Sequence, residues 1–144
     1  FSVEHDMVGK KLGDHATRLA LLSDTIGQLR RIWRADGFDA ITDGAPMPAV
    51  IVGASSWATI EVAIELADGV NIRRTGRLAD HLERLGAADL PEGFEVSVLD
   101  FFVPGDELGV RPSDLIEAGV DRHIVTMWPG RDLGAVRGLP ARNV

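Results

Sequence analysis

The sequence predicts an α/β fold on a parallel sheet, and three observations carry that expectation. Short apolar runs alternate in order with segments of helical period. The clearest run, Ala49-Val50-Ile51-Val52, shows no polar alternation, as expected of a strand covered on both faces. Glycine and proline fall at the junctions between the segments. Helix and strand in strict alternation imply parallel strands joined by right-handed crossovers.

Each element has its own signal. Residues 1–14 are mixed and weakly patterned. Over residues 16–34, Leu19, Leu22, Ile26, Leu29 and Trp33 recur three or four apart, which lays one apolar stripe along a helix. Asp14 is placed to cap its start, and Arg30, Arg31 and Arg34 suit the negative end of its dipole. Residues 35–48 read as a loop, and 49–52 as a strand. A helix over 57–66 follows, closed by Asp68-Gly69 with the glycine as left-handed cap. Val70-Asn71-Ile72 is a short strand. Residues 76–85 form a helix with Leu78, Leu82 and Leu85 on one face, ended by Gly86. Pro91-Glu92-Gly93 is a turn. In the strand over 94–103, Phe94, Val96, Val98 and Phe102 share a face that Asp100 interrupts. Pro104-Gly105-Asp106 breaks that strand. Pro112 opens a helix that includes Leu115, Ile116 and Ala118 and is capped by Gly119. The last strand spans 123–128 and stops at Pro129-Gly130. Leu133, Val136 and Leu139 give the tail a weak helical period. There is no internal sequence repeat.

Composition bounds the function. With 144 residues, 45% of them apolar and 26% charged, the chain has material for one domain with a core. No run approaches the ~18–20 apolar residues of a membrane span. No basic segment followed by an apolar core opens the chain, so no signal peptide is expected. The absence of cysteine excludes disulfides, thiolate metal sites and a thiol nucleophile, and fits the expectation of a cytoplasmic protein. A net charge of −7 without a basic cluster argues against nucleic acid.

The principal candidate site is Gly53, Ala54, Ser55 and Ser56, between an apolar strand and a helix. Small residues there let a ligand approach the backbone, and two hydroxyls and the first-turn N–H groups face it with the positive helix end behind. The bland alternative is that one serine simply caps the helix.

Several segments resemble the luciferase-like monooxygenase family, the flavin- or deazaflavin-dependent (β/α)₈ barrels. They are Arg18, Asp24 and the run Ile26-Gly27-Gln28-Leu29-Arg30-Arg31-Ile32-Trp33; residues 48–56; Ala63-Ile64-Glu65-Leu66-Ala67-Asp68-Gly69-Val70-Asn71, with Val70 where the family usually has tryptophan; and residues 115–129 through Glu117-Ala118-Gly119-Val120-Asp121-Arg122. The resemblance covers the family's C-terminal half. It implies a partial TIM-type (β/α) barrel of about four parallel strands alternating with helices, with residues 1–144 as a single domain. A full barrel needs about 250 residues. The expectation is therefore either an excerpt of a longer protein or a half-barrel that pairs with another copy, because four strands leave open edges and an open face. In the family the 53–56 turn touches the cofactor's phosphate or ribityl end. The implied cofactor is FMN or a deazaflavin (coenzyme F-420), and the implied partner a small-molecule substrate.

Other residues have simpler roles in competition with functional ones. Asn71, Arg73 and Arg74 follow a short strand, where arginine suits phosphate or carboxylate, or the segment is a solvated loop. Asp100 either orients a substrate or bonds a neighbouring strand. His5, after Glu4, is a weak candidate proton donor, with an exposed loop histidine as its alternative. His5, His15, His81 and His123 show no metal-ligand spacing, and no metal site is expected. Trp33, Trp57, Met127 and Trp128 read as packing residues. There is no nucleophile elbow, Walker loop or dinucleotide fingerprint.

The functional expectation is the cofactor-binding half of a flavin- or deazaflavin-dependent oxidoreductase or monooxygenase. The alternatives are a non-catalytic half-barrel flavoprotein, a self-associating structural fragment, and a doubly wound domain that binds a phosphorylated metabolite, which a reversal of strand order would reveal.

Overall fold

A computed structural model describes residues 13–35, 45–102 and 112–127. The elements are α1 (His15–Trp33), β1 (Ile51–Ala54), α2 (Trp57–Leu66), β2 (Gly69–Arg73), α3 (Leu78–Gly86), β3 (Glu95–Phe102), α4 (Pro112–Glu117) and β4 (Arg122–Met127). The strands form one parallel sheet in the order β1-β2-β3-β4. Among the described strands the order never reverses. His5 with Glu4, the Pro104-Gly105-Asp106 break, Trp128, Pro129-Gly130 and the tail residues Leu133, Val136 and Leu139 lie outside the described residues.

Strand periodicity divides the sheet into two faces. On one, Val52, Ala54, Val70, Ile72, Val96 and Val98 are buried and join Ile60, Ala63, Leu78, Leu82, Leu85 and Leu115 of the helices in a single core. Ile60, Val70, Ile72 and Val98 have no exposed surface. Burying a side chain of this size stabilises the fold by about 1.5–3 kcal/mol. The helices thus cover one face. The other carries Gly53, Asn71, Ser97 and Arg122 in one register row, with Ile51, Arg73, Leu99, Ile124 and Thr126 above and below. Ile51 and Ile124, on the two outermost strands, are each 37% exposed.

The α1 stripe packs as its period requires. Ile26 is buried and Leu22 lies against the core, while Leu21 and Ile32, off the stripe, are exposed. Asp14 caps α1, its carboxylate accepting from Thr17 N–H at 2.7 Å. That bond holds the Asp14 carboxyl below its usual value. Arg30 does more than face the helix dipole. Its Nε donates to the Leu66 carbonyl at 3.1 Å and its Nη2 to Asp68 Oδ1 at 2.9 Å.

Several boundaries differ from expectation. Gly53 and Ala54 belong to β1 and not to the turn, because they continue the ladder opposite Asn71 and Ile72. Gly69 is not a left-handed cap. The α2 helix ends at Ala67 in extended backbone (φ −113°, ψ 177°), and Gly69 opens β2. Glycine is needed there for close approach: a Cβ would stand 2.5 Å from the Glu95 carbonyl oxygen. Gly86 is the last residue of α3 rather than a residue beyond it. Gly119, at φ +79°, does cap α4, with Val120 N–H returning to the Leu115 carbonyl.

Two aspartates pin the amino edge of the sheet. Asp68 immediately precedes β2; its Oδ2 accepts from Val50 N–H at 2.8 Å, and its own N–H donates to the Val50 carbonyl at 2.9 Å. Asp121 immediately precedes β4 and repeats the arrangement on Val96, at 2.8 Å in both directions. Each satisfies backbone groups that a strand end leaves unpaired.

Candidate functional site

The 53–56 corner lies at the carboxyl edge of β1. Gly53 is exposed, and a Cβ built on it meets nothing within 4 Å, so the space above the strand is open. The Ala54 methyl is buried in the core, so only its backbone is available to a ligand. Ser55 is exposed. Ser56 is the N-cap of α2, accepting from Thr59 N–H at 3.4 Å and lying 3.0 Å from Thr59 Oγ1. One of the two hydroxyls is therefore committed to capping. The N–H groups of Trp57 and Ala58 in the first turn meet no acceptor among the described residues. Open space, one uncommitted hydroxyl and unpaired amides are a donor set that fits a phosphate.

Beside this corner, Arg73 closes β2 and Arg74 follows it, and the two have opposite fates. Arg74 turns to the covered face, where its Nε donates to Asp100 Oδ1 at 2.7 Å. Asp100 is 2% exposed and also accepts from Phe101 N–H at 2.7 Å. Its other oxygen faces His123 Nε2 at 3.8 Å, too far for a hydrogen bond, and neither atom has a partner among the described residues. Asp100 thus ties the end of β2 to β3. Arg73 turns to the open face, where it is exposed and its guanidinium carbon stands 5.0 Å from the centroid of the Phe101 ring. Asn71 joins the sheet, its Nδ2 donating to Ser97 Oγ at 2.9 Å, while Ser97 Oγ donates to the Val70 carbonyl at 3.2 Å.

His81 is buried in α3, with both ring nitrogens lacking a partner among the described residues. Its ring lies 6.3 Å from that of Trp57, over which the Arg84 guanidinium sits at 3.8 Å. Among the described residues no cluster of three acidic or histidine side chains is arranged to hold a metal. No described helix is long and apolar enough to cross a membrane. A groove of about 1210 Å³ opens between α3 and α4, walled by Leu78, Leu82 and Leu115 with Arg73, Arg74, Asp100 and Phe101 at its end. No residue of the 53–56 corner lines it.

The sequence pointed to the corner but left Arg73 and Arg74 undivided. The signal that separates them is the strand period of two, which Arg74 continues past β2 by donating its N–H to the Leu99 carbonyl and which sends consecutive side chains to opposite faces. Comparisons with protein-family models, curated proteins and solved structures find no match.

Proposed function

We propose that this chain is the cofactor-binding half of a flavin- or deazaflavin-dependent oxidoreductase of the luciferase-like monooxygenase type, with the phosphate of FMN or a deazaflavin seated at Gly53, Ala54, Ser55 and Ser56. One observation carries the proposal. The strands run β1 to β4 in chain order, all parallel, with helices on one face and the small-residue corner at the carboxyl edge. A (β/α)₈ barrel is such a sheet closed on itself, and its ligands bind at that edge. A doubly wound domain reverses its strand order and carries helices on both faces.

In this arrangement Gly53 leaves room for the ligand, Trp57 and Ala58 N–H groups and the Ser55 hydroxyl donate to phosphate oxygens, and Ser56 holds the first turn of α2 in place. The cofactor supplies the redox chemistry, and the chain binds and orients it. Absorbance of the purified protein tests this: a flavin band in the visible blue, or a deazaflavin band at shorter wavelength, is expected. Replacing Ser55 and Ser56 together by alanine should weaken cofactor binding well beyond the ~1 kcal/mol of a lost cap. Protein that neither carries nor binds either cofactor contradicts the proposal.

The exposed Ile51 and Ile124 favour a second feature of the same reading, an association of the open face with another half-barrel, either a second copy or an N-terminal half. Sedimentation should then give a dimer for this chain alone; a monomer that binds no hydrophobic dye contradicts self-association. Turnover with reduced cofactor separates an enzyme from a non-catalytic flavoprotein.

A further inference from the structure

We infer that the groove between α3 and α4 is the docking site of the chain's own basic segment, residues 131–142, which lies outside the described residues. The shape of the groove suits a stretch of chain. Its volume of about 1210 Å³ exceeds the ~300–1,000 Å³ of sites that enclose small molecules. Its exposed walls are small: Ala79 and Gly86 line it from α3 and Ala118 from just beyond α4. A Cβ built on Gly86 meets nothing within 4 Å. Beneath them the buried Leu82 and Leu115 give the groove an apolar floor. Walls this small leave room for aliphatic side chains larger than their own.

The charges on the groove and on the segment are complementary. Glu83 on one wall and Asp114 and Glu117 on the other are exposed, and none of them meets a cation among the described residues. Arg73 and Arg74 lie only at the end of the groove, where Arg74 is taken by Asp100 and Arg73 stands over Phe101. The field along the walls therefore favours a cation. Residues 131–142 carry Arg131, Arg137 and Arg142 against one acid, Asp132, in a chain whose net charge is −7. Among these arginines, Leu133, Val136 and Leu139 recur three apart. Apolar anchors set between basic residues match an apolar floor set between acidic walls.

The segment is also within reach. It begins four residues after Met127, the last residue of β4, and extended chain covers about 3.3 Å per residue, or about 13 Å in all. Met127 pairs with Phe102, whose neighbours Asp100 and Phe101 on β3 line the groove. Adjacent strands lie about 4.8 Å apart, so the chain can enter the groove of its own molecule.

The test places a nitroxide on Ala135→Cys in the full chain, which has no other thiol, and reads the amide NMR signals. The label should broaden Ala79, Glu83, Gly86 and Ala118 and leave α1 sharp. Replacing Leu133 and Leu139 together by serine keeps the tether and the charges but should abolish the broadening. Glu83→Gln, Asp114→Asn and Glu117→Gln together should lower the docked-to-undocked ratio about tenfold, the combined worth of three exposed ion pairs. Unshifted α1 signals show that each variant is folded. Broadening that survives the double serine variant would come from tethering alone and would overturn the inference. Broadening untouched by the triple acid variant would overturn it too, because the charges would play no part. Broadening that appears in unlabelled chains mixed with labelled ones would assign the groove to the segment of a second copy and overturn docking within one molecule. An absence of broadening in α3 and at Ala118 would leave the groove to another occupant and overturn the inference outright.

Discussion

Two faces of one sheet, built from the same few strands, are held to different standards. On the covered face the polar groups near the carboxyl edge serve the structure: Arg74 is occupied by Asp100, and Asp100 is sealed beneath it. On the open face, one residue earlier along β2, Arg73 has only a ring for company among the described residues. Two adjacent arginines of identical chemistry therefore serve different ends, one holding strands together and the other facing outward. The difference teaches that at the end of a strand a shift of one position decides between a buried carboxylate partner and an exposed guanidinium.

The largest effect should come from breaking the covered side. Arg74→Ala strands a carboxylate that is 2% exposed and keeps only the Phe101 N–H; because Arg74 itself is 32% exposed, the expected cost is about 2–3 kcal/mol. Urea denaturation should show that loss, whereas Arg73→Ala should stay within about 0.5 kcal/mol of wild type, as exposed substitutions do.

Two glycines sharpen the comparison within the open face itself. Gly69→Ala places a methyl 2.5 Å from the Glu95 oxygen and 2.8 Å from Ile51 Cδ1, forcing β2 and β3 apart at an expected cost of about 1–3 kcal/mol. Gly53→Ala meets nothing, so its melting temperature should match wild type while its affinity for FMN falls. If Gly53→Ala bound FMN normally, the open space above β1 would not be where the ligand sits.

A smaller loss is expected at the amino edge. Burial, the largest single influence on the Asp68 carboxyl, raises its pKa, but the Val50 N–H and Arg30 together outweigh it and leave the group below its usual value. The stabilisation from Asp68 is then full above the unfolded-state value and disappears as pH falls through the lower folded-state value. Asp68→Asn should remove that acid dependence and cost about 1 kcal/mol at neutral pH, since the Asp68 side chain is 42% exposed and solvent screens its charge, read from urea midpoints across a pH series. The smallest change belongs to Ser56→Ala, about 0.5 kcal/mol from the lost α2 cap, whose bond is 3.4 Å long, visible in the same denaturation assay.

Much of this architecture was legible in the residues. The α1 stripe, the Asp14 cap, the full span of α2 and the Gly119 cap follow from side-chain period and local hydrogen bonding, and they lie where those rules put them. Boundaries failed where tertiary contacts outvote local preference. Gly53 and Ala54 look like turn residues, yet pairing with β2 extends the strand through them. Gly69 looks like a helix cap, but the reason for glycine is the Glu95 backbone, a contact between residues 26 apart that no local rule reveals. Asp68 and Asp121 each stand directly before a strand, a visible repetition whose meaning depends on which backbone lies alongside. At the candidate site, the corner could be read from its small residues and hydroxyls. The capping role of Ser56 was legible only as an alternative, because capping and ligand binding require the same side chain.

Hydrogen–deuterium exchange of the full chain with and without FMN tests the central claim most directly, because it locates the ligand without altering a residue. Protection on FMN addition should appear in residues 53–59, leaving α3 and α4 unchanged. Protection confined to the groove between α3 and α4, or none anywhere at saturating FMN, would contradict the assignment of the open carboxyl edge as the cofactor site.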